Sequence, residues 1–561
     1  MIGTLLLMTG TLLAGDPAPA RTSNAGLLRI QYQRGDESFC QAGTCVDYQN
    51  NGRRGILLAS RKTRELSMLE AATGKVRWKK VMAGDQQSIL AYDLDRDGNV
   101  EIIYTTSSPG RLYVLDGEGN VKRQWTSEDG KLGNSAVVLD ADHDGVLDGF
   151  FGTRTKHLVR LNMADLTVLG RRTGWVQCGC YTSAMDVDHD GQWDLFAGSG
   201  DDHRSKGQLV RYDPLSLKTI WKYDTDDNAS SADPVLVDID GDGQVEIVKS
   251  VDNYAGDEAH DAIYAFETDG KLLWKVSGLS CEDSPNVADL DGDGEVEIIG
   301  MTFGGEVFCL DGKGKLQWKR DLRPELDDSF HAYMTPILCD VDGKPGLEIL
   351  AMTNGGYTKK AAGIVFVLSS QGKVLDQLNV GGDRYWGEAF YANIDQDPAM
   401  ELVVSGSGGM DVIETRGLGP KTEHYQRRRN YQRLNHVPWA YQDSYFIHRG
   451  TRTLVENRTD NLVLERANGK YQATGRFLTE VLEPPAGCRF VQLHYDATTP
   501  AGTSLEVNLL NQGERTLLRR ATSGSRLNIS EPVQIEFVFR TDGPDRTPLL
   551  DRYQLRFDRA E

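Results

Sequence analysis

Five nine-residue stretches of the form Asp-x-Asp-x-Asp-Gly-x-x-acid recur along the chain, at Asp93–Glu101, Asp140–Asp148, Asp186–Asp194, Asp238–Glu246 and Asp289–Glu297. Carboxylates at alternate positions of a turning loop converge on one cavity, and the glycine lets the chain double back so that the ninth residue closes the cage. Oxygen ligands on a flexible loop suit Ca2+. The predicted ligands are Asp93, Asp95, Asp97 and Glu101; Asp140, Asp142, Asp144 and Asp148; Asp186, Asp188, Asp190 and Asp194; Asp238, Asp240, Asp242 and Glu246; and Asp289, Asp291, Asp293 and Glu297. An EF-hand would place its closing glutamate at position twelve, where this chain has Tyr104, Lys249 and Gly300. The loops are followed instead by short β-branched runs such as Glu101-Ile-Ile-Tyr104, which read as strands.

Three weaker copies share the period. One keeps Asp340, Asp342 and Glu348 but has Lys344 at the third ligand position; another keeps Asn393, Asp395, Asp397 and Glu401; the stretch from Asp47 has lost its closing acid at Gly55. Successive first positions, from Asp47 to Asn393, are 46, 47, 46, 52, 51, 51 and 53 residues apart. A period in that range marks a propeller blade or a similar array. Each unit runs strand, acidic loop, strand, hairpin, third strand, Gly-rich turn and a fourth strand often carrying Trp, as at Trp78, Trp125, Trp221, Trp274 and Trp318. Four antiparallel strands make one blade, and the tryptophans are expected to wedge between neighbouring blades.

The acidic loop followed by Glu-Ile-Val-type strands resembles the FG-GAP/VCBS repeat of integrin-α-like β-propellers, and Leu69-Glu-Ala-Ala-Thr-Gly-Lys-Val-Arg-Trp78 also resembles the PQQ-type propeller repeat. The resemblance covers residues 27–435. It implies an all-β fold, here an eight-bladed propeller by count of units, with a seven-bladed ring, common among integrins, as the alternative. Residues 436–561 change character: the acidic repeat stops, and alternating strands such as Phe490–Tyr495, Ser504–Leu509 and Val533–Phe539 predict a separate, jelly-roll-like accessory β-sandwich.

Residues 1–20 carry an apolar core, Thr4–Ala14, and a small-residue site at Ala18-Pro-Ala20, which suit a secretory signal peptide although no Lys or Arg precedes the core. The core is too short to span a bilayer, and no later stretch qualifies, so no transmembrane span is expected. These features predict a secreted, periplasmic or cell-surface protein. The chain carries 62 Lys and Arg against 82 Asp and Glu, a formal charge of -20, and the five complete loops supply 20 of those carboxylates. The acidity reads as metal sites, and it argues against a nucleic-acid partner. Eight cysteines fit an oxidising compartment. Cys40 and Cys45 flank a predicted turn that could bring them together, whereas Cys309, Cys339 and Cys488 look strand-borne. Arg34-Gly-Asp36 has the integrin-ligand sequence but leads into the first blade, so an adhesive role for it is not expected.

All acidic loops are turns between strands one and two, so metal gathers on one face of the disc with a structural role. The long two-three hairpins and inter-blade connections lie on the other. There Tyr181, Glu282, Asp283, Lys359, Tyr385, Trp386 and Glu388 are the candidate ligand-binding residues. Two functions fit. As an adhesion or binding scaffold, the face would stack Tyr and Trp on an extracellular glycan or protein. As a polysaccharide lyase acting on uronates, it would use Arg384 to neutralise the carboxylate and His331 or Tyr333 as base.

Overall fold

The computed structural model describes residues 23–418, apart from short stretches mainly within the acidic loops and the connections at 35–39, 174–180, 200–205, 229–231, 252–260, 323–334, 354–362 and 381–388, together with the strands between residues 424 and 559. The described chain is all β, and the predicted four-strand unit recurs in order. The first sheet comprises Cys40–Val46, Gly55–Ser60, Glu65–Glu70 and Val76–Val81, and six further four-stranded antiparallel sheets follow it through to Val374–Asn379. An eighth sheet joins Ala389–Ala392, Ala399–Gly406 and Gly409–Leu418 to the N-terminal strand Arg29–Arg34. Sheets are numbered here in this order.

Burial explains why these sheets stack around a ring. The second strands Glu101–Thr106, Asp148–Thr153 and Glu246–Val251 are buried at every residue, as expected where both sheet faces are covered by neighbours. The fourth strands alternate instead: Val121–Thr126 and Leu272–Ser277 expose every second residue, which places them at the rim. The apolar clusters bridge successive sheets. Leu90 and Val114 of the second sheet meet Val138 and Phe151 of the third, and one larger cluster runs through the fifth, sixth and seventh. This is a β-propeller.

The tryptophans sit at the seams, as expected. Trp78 Nε1 donates to the carbonyl of Gly117 at 2.9 Å, Trp221 to Thr268 at 2.8 Å, Trp274 to Gly312 at 3.1 Å and Trp318 to Ser370 at 3.0 Å. Each acceptor lies in the three-four turn of the next sheet. A second set of bonds ties the connections between sheets. Ser183 Oγ donates to Pro234 O, Ser284 Oγ to Asp233 O and Thr335 Oγ1 to Ser284 O, at 2.5, 2.8 and 2.6 Å.

The expected turn between Cys40 and Cys45 is absent. Both residues belong to one strand, Cys40–Val46, whose pairing with Gly55–Ser60 absorbs the extra residues as a register shift between Ala42 and Cys45. Cys281, Cys309 and Cys339 are buried. Arg34 of the Arg-Gly-Asp tripeptide lies in the closing N-terminal strand, and its Nη1 donates to the carbonyl of Gly74 at 2.8 Å.

Beyond residue 440 a two-stranded ribbon, Arg466–Ala467 with Lys470–Tyr471, accompanies two larger antiparallel sheets, a five-stranded one with Cys488–Thr498 and Leu549–Arg559 near its centre and a four-stranded one built on Thr503–Asn511 and Val533–Thr541. Leu493 and Leu550 of the first share a core with Val507, Leu509, Ile535, Phe537 and Phe539 of the second. Among the described residues, no helix is long and apolar enough to cross a membrane.

Candidate functional site

Each acidic loop is pinned by its apolar positions. The second residue is buried in every described copy, as with Leu94, Ala141, Ile239, Leu290, Val341 and Ile394, and so is the eighth in Val100, Leu147, Val245, Val296, Leu347 and Met400. Anchoring both ends of the turn turns the intervening carboxylates toward one another. The ninth residue opens the second strand and accepts the backbone N–H of the second. Glu101 accepts from Leu94 at 2.9 Å, Glu246 from Ile239 at 2.7 Å, Glu297 from Leu290 at 2.9 Å, Glu348 from Val341 at 2.8 Å and Glu401 from Ile394 at 2.8 Å. Asp194 repeats the contact with Val187 at 3.4 Å. The closing acid therefore staples the loop with one oxygen, and Glu246 and Glu348 also bring an oxygen into the acidic cage.

Three groups bring their carboxylate oxygens within 4.8 Å of one another: Asp140, Asp142 and Asp144; Asp238, Asp240 and Glu246; and Asp340, Asp342 and Glu348. An all-oxygen, acidic donor set of this kind fits a hard metal cation. The electrostatics agree. Burial raises the carboxyl pKa of Glu101 and Asp148, and it raises Glu348 to about 6, with the charges of Asp342 and Asp340 adding to the effect. Carboxylates crowded in this way gain from a cation.

Some of these acids already face cations of the chain. Arg160 Nη2 lies 2.7 Å from both Asp142 and Asp148, Arg211 Nη2 lies 2.5 Å from Asp194, and Lys122 Nζ lies 2.9 Å from Glu101 and 3.6 Å from Asp95. The sequence reading missed all three.

Of the predicted metal ligands, Asp93, Asp97, Asp186, Asp188, Asp190, Asp242, Asp289, Asp291, Asp293, Asn393 and Asp397 lie outside the described residues. So do Glu282, Asp283, His331, Tyr333, Lys359, Arg384, Tyr385, Trp386 and Glu388, while Tyr181 is described only by its backbone, which opens a strand paired with Gly198.

The end of the strands away from the acidic loops holds an unexpected buried amine. Lys249, in the second strand of the fifth sheet, donates to Ala232 O at 2.7 Å and Ser250 O at 2.9 Å. Burial lowers its pKa to about 7, against the opposing pull of Asp233 and the Cys281 thiol. The neighbouring Ser250 Oγ both accepts from Cys281 N at 2.8 Å and donates to Cys281 O at 2.7 Å.

Comparison with known proteins agrees with this architecture. Residues 93–150 match the FG-GAP-like repeat family, and residues 253–325 match the lambda-carrageenase beta-propeller domain family. A stretch of 121 residues, 21% of the chain, is 28% identical to a lambda-carrageenase of Pseudoalteromonas carrageenovora, and 100 residues, 16% of the chain, are 36% identical to the rhamnogalacturonan exolyase YesX of Bacillus subtilis (strain 168). These matches span 11% and 16% of the relatives' own lengths. The V. cholerae biofilm matrix protein Bap1 shares the fold at a TM-score of 0.51 and 13% identity, over 69% of this chain and 88% of that one. The repeated acidic loops, the stacked four-stranded sheets and both family matches together make this chain a β-propeller protein that carries an FG-GAP-like repeat at residues 93–150.

Proposed function

We propose that the protein is an exported, calcium-stabilised propeller that engages an extracellular polysaccharide on the face opposite its acidic loops. The observation that carries this reading is the pair of sequence matches to proteins named for acting on polysaccharides, a lambda-carrageenase and a rhamnogalacturonan exolyase. Eight successive sheets support eight blades over residues 27–435, and the shared core of the two later sheets supports a sandwich over 436–561. Residues 1–20 act as the export signal. Calcium is the ion of choice because the donor groups are all oxygen and sit on turning loops. Its role is to stiffen the blades, while Tyr181, Tyr385 and Trp386 stack on sugar rings and Lys359, Glu282, Asp283 and Glu388 supply polar contacts.

Lyase action is the second reading, favoured by the exolyase match. Abstraction of the proton α to a uronate carboxylate needs a neutralising cation and a base, the roles of Arg384 and of His331 or Tyr333. One experiment separates the two. The purified protein is incubated with carrageenan and with rhamnogalacturonan while a binding assay reports retention of each and ultraviolet absorbance reports unsaturated uronate products from the rhamnogalacturonan. Turnover lost in His331→Ala or Tyr333→Phe establishes the lyase; saturable binding without products establishes the scaffold; neither with any anionic polysaccharide refutes the proposal. Calcium is tested separately by chelation, which should lower the melting temperature reversibly, because an ion bound only to the folded state stabilises it by mass action.

A further inference from the structure

The closing carboxylate of the third acidic loop is neutralised from within the chain. Arg160 Nη2 stands 2.7 Å from Asp142 Oδ2 and 2.7 Å from Asp148 Oδ2, so it spans the third and ninth positions of the loop, which a bound metal would otherwise draw together. Its side chain is only 8% exposed, and Nη1 continues to the carbonyl of Leu215 in the fourth sheet at 3.5 Å. Asp140, Asp142 and Asp144 still bring one oxygen each within 4.8 Å, but the ninth ligand and one oxygen of the third are engaged.

The same device recurs in the next sheet at the same register. Arg160 pairs across the sheet with Phe150 and Arg211 with Phe196, in each case two residues beyond the closing acid. Arg211 binds Asp194 through Nε at 2.9 Å and Nη2 at 2.5 Å, and its Nη1 reaches Thr268 O of the following sheet at 3.3 Å. At this register the fifth to eighth sheets carry Ala265, Cys309, Val367 and Val412, none of them charged. The second sheet has Val114 there, but Lys122 arrives from the fourth strand to hold Glu101.

A guanidinium shared by two carboxylates makes short, charge-assisted bonds, and it is tethered, so it loses no translational freedom on closing the loop. A divalent ion would have to expel it and leave a buried arginine without its partners, which is strongly unfavourable. We propose that Arg160 is a built-in counter-ion that closes the third loop in place of a metal, so that this loop takes no ion while the arginine is present although its four acids are complete in sequence. Arg211 neutralises the closing Asp194 of the next loop. The assignment rests on the calcium reading for the remaining loops, and it names one loop that is exempt.

The test counts calcium bound per full-length chain by equilibrium dialysis and elemental analysis. Arg160→Met should bind one more ion than the wild type. Asp148→Asn should bind as many as the wild type, with a lower melting temperature that falls equally with calcium and with chelator. An unchanged count in folded Arg160→Met, or the loss of one ion in Asp148→Asn, overturns the assignment; if Arg160→Met does not fold, the Asp148→Asn count decides alone. A wild type without calcium refutes the calcium reading by itself, whereas a gain of one ion on removing Arg160 upholds the counter-ion even then.

Discussion

The Tyr32 hydroxyl donates to the backbone carbonyl of Ala71 at 2.5 Å, and its ring lies so close to Gly74 that a Cβ there would meet Tyr32 Cε2 at 2.6 Å. Tyr32 belongs to the N-terminal strand Arg29–Arg34, whereas Ala71 and Gly74 form the three-four turn of the first sheet. The contact has the form seen at the internal seams, where Trp78 donates to Gly117 O and lies against Gly119. The N-terminal strand thus completes the eighth sheet, and a tyrosine takes the tryptophan's place where the ring shuts.

Replacing that tyrosine should loosen the seam. Tyr32→Ala is expected to cost about 3 kcal/mol through lost packing, and Tyr32→Phe about 1 kcal/mol for the hydroxyl alone. Denaturant midpoints measure both, and a Tyr32→Ala protein as stable as the wild type would show that the closing strand contributes nothing.

The turns facing the indoles should discriminate between two glycines of the same sheet. Gly314 has φ +78 and would place a Cβ 2.7 Å from Trp274, while Gly305 has φ +87 with open space around it. Gly305→Ala carries backbone strain alone, roughly 1 to 3 kcal/mol; Gly314→Ala adds the displaced indole and should melt at the lower temperature. Equal melting temperatures would mean that the indole moves aside freely.

Lys249 gives stability an alkaline slope. Its pKa is about 7 in the fold against an ordinary value of 10.5, so between those limits the unfolded chain binds the extra proton and stability rises with pH. Below about 7 the penalty is fully present and constant. The gain across the window is on the order of a few kcal/mol, and Lys249→Met should abolish it. Denaturant midpoints at neutral and alkaline pH check this, and an identical slope in the variant would exclude the amine as its source.

Calcium stabilisation should weaken in mild acid. The Glu348 pKa is raised to about 6, above its ordinary value of 4.5, so in the metal-free fold ionisation is a penalty present above 6 and relieved as pH falls toward 4.5. An ion at this site needs the ionised form, so protons compete with it through the same range. The rise in melting temperature on adding calcium should therefore be larger at neutral pH than at about pH 5, by scanning calorimetry. An increment independent of pH would place the ion elsewhere.

Much of the frame was readable because its physics is local. Glu101, Asp148, Asp194, Glu246, Glu297 and Glu348 each begin a strand, as the loop pattern predicts, and the Trp seams follow from the same period. The counter-ions were hidden because the two-three hairpins differ in length. Arg160 lies 12 residues beyond Asp148 and Arg211 17 beyond Asp194, so only strand register brings them into line. Tyr32 was hidden for another reason: its partners lie in the first sheet while its own strand pairs with Gly409–Leu418. Cys40 and Cys45 were misread because a bulged strand and a short turn share the same small, polar residues. The candidate residues His331 and Trp386 lie outside the described residues.

The closing strand is the first part of the ring to be synthesised and the last to be used. Arg29 pairs with Glu414, 385 residues later, so no ring exists until nearly the whole propeller has left the ribosome. The entropy of so long a loop is a minor obstacle, since each doubling adds only about 0.6 kcal/mol. The delay matters more. Throughout it, the N-terminal strand waits for a partner strand not yet made and can pair with other nascent chains, so the yield of folded protein should depend on the rate of translation as much as on the stability of the finished ring.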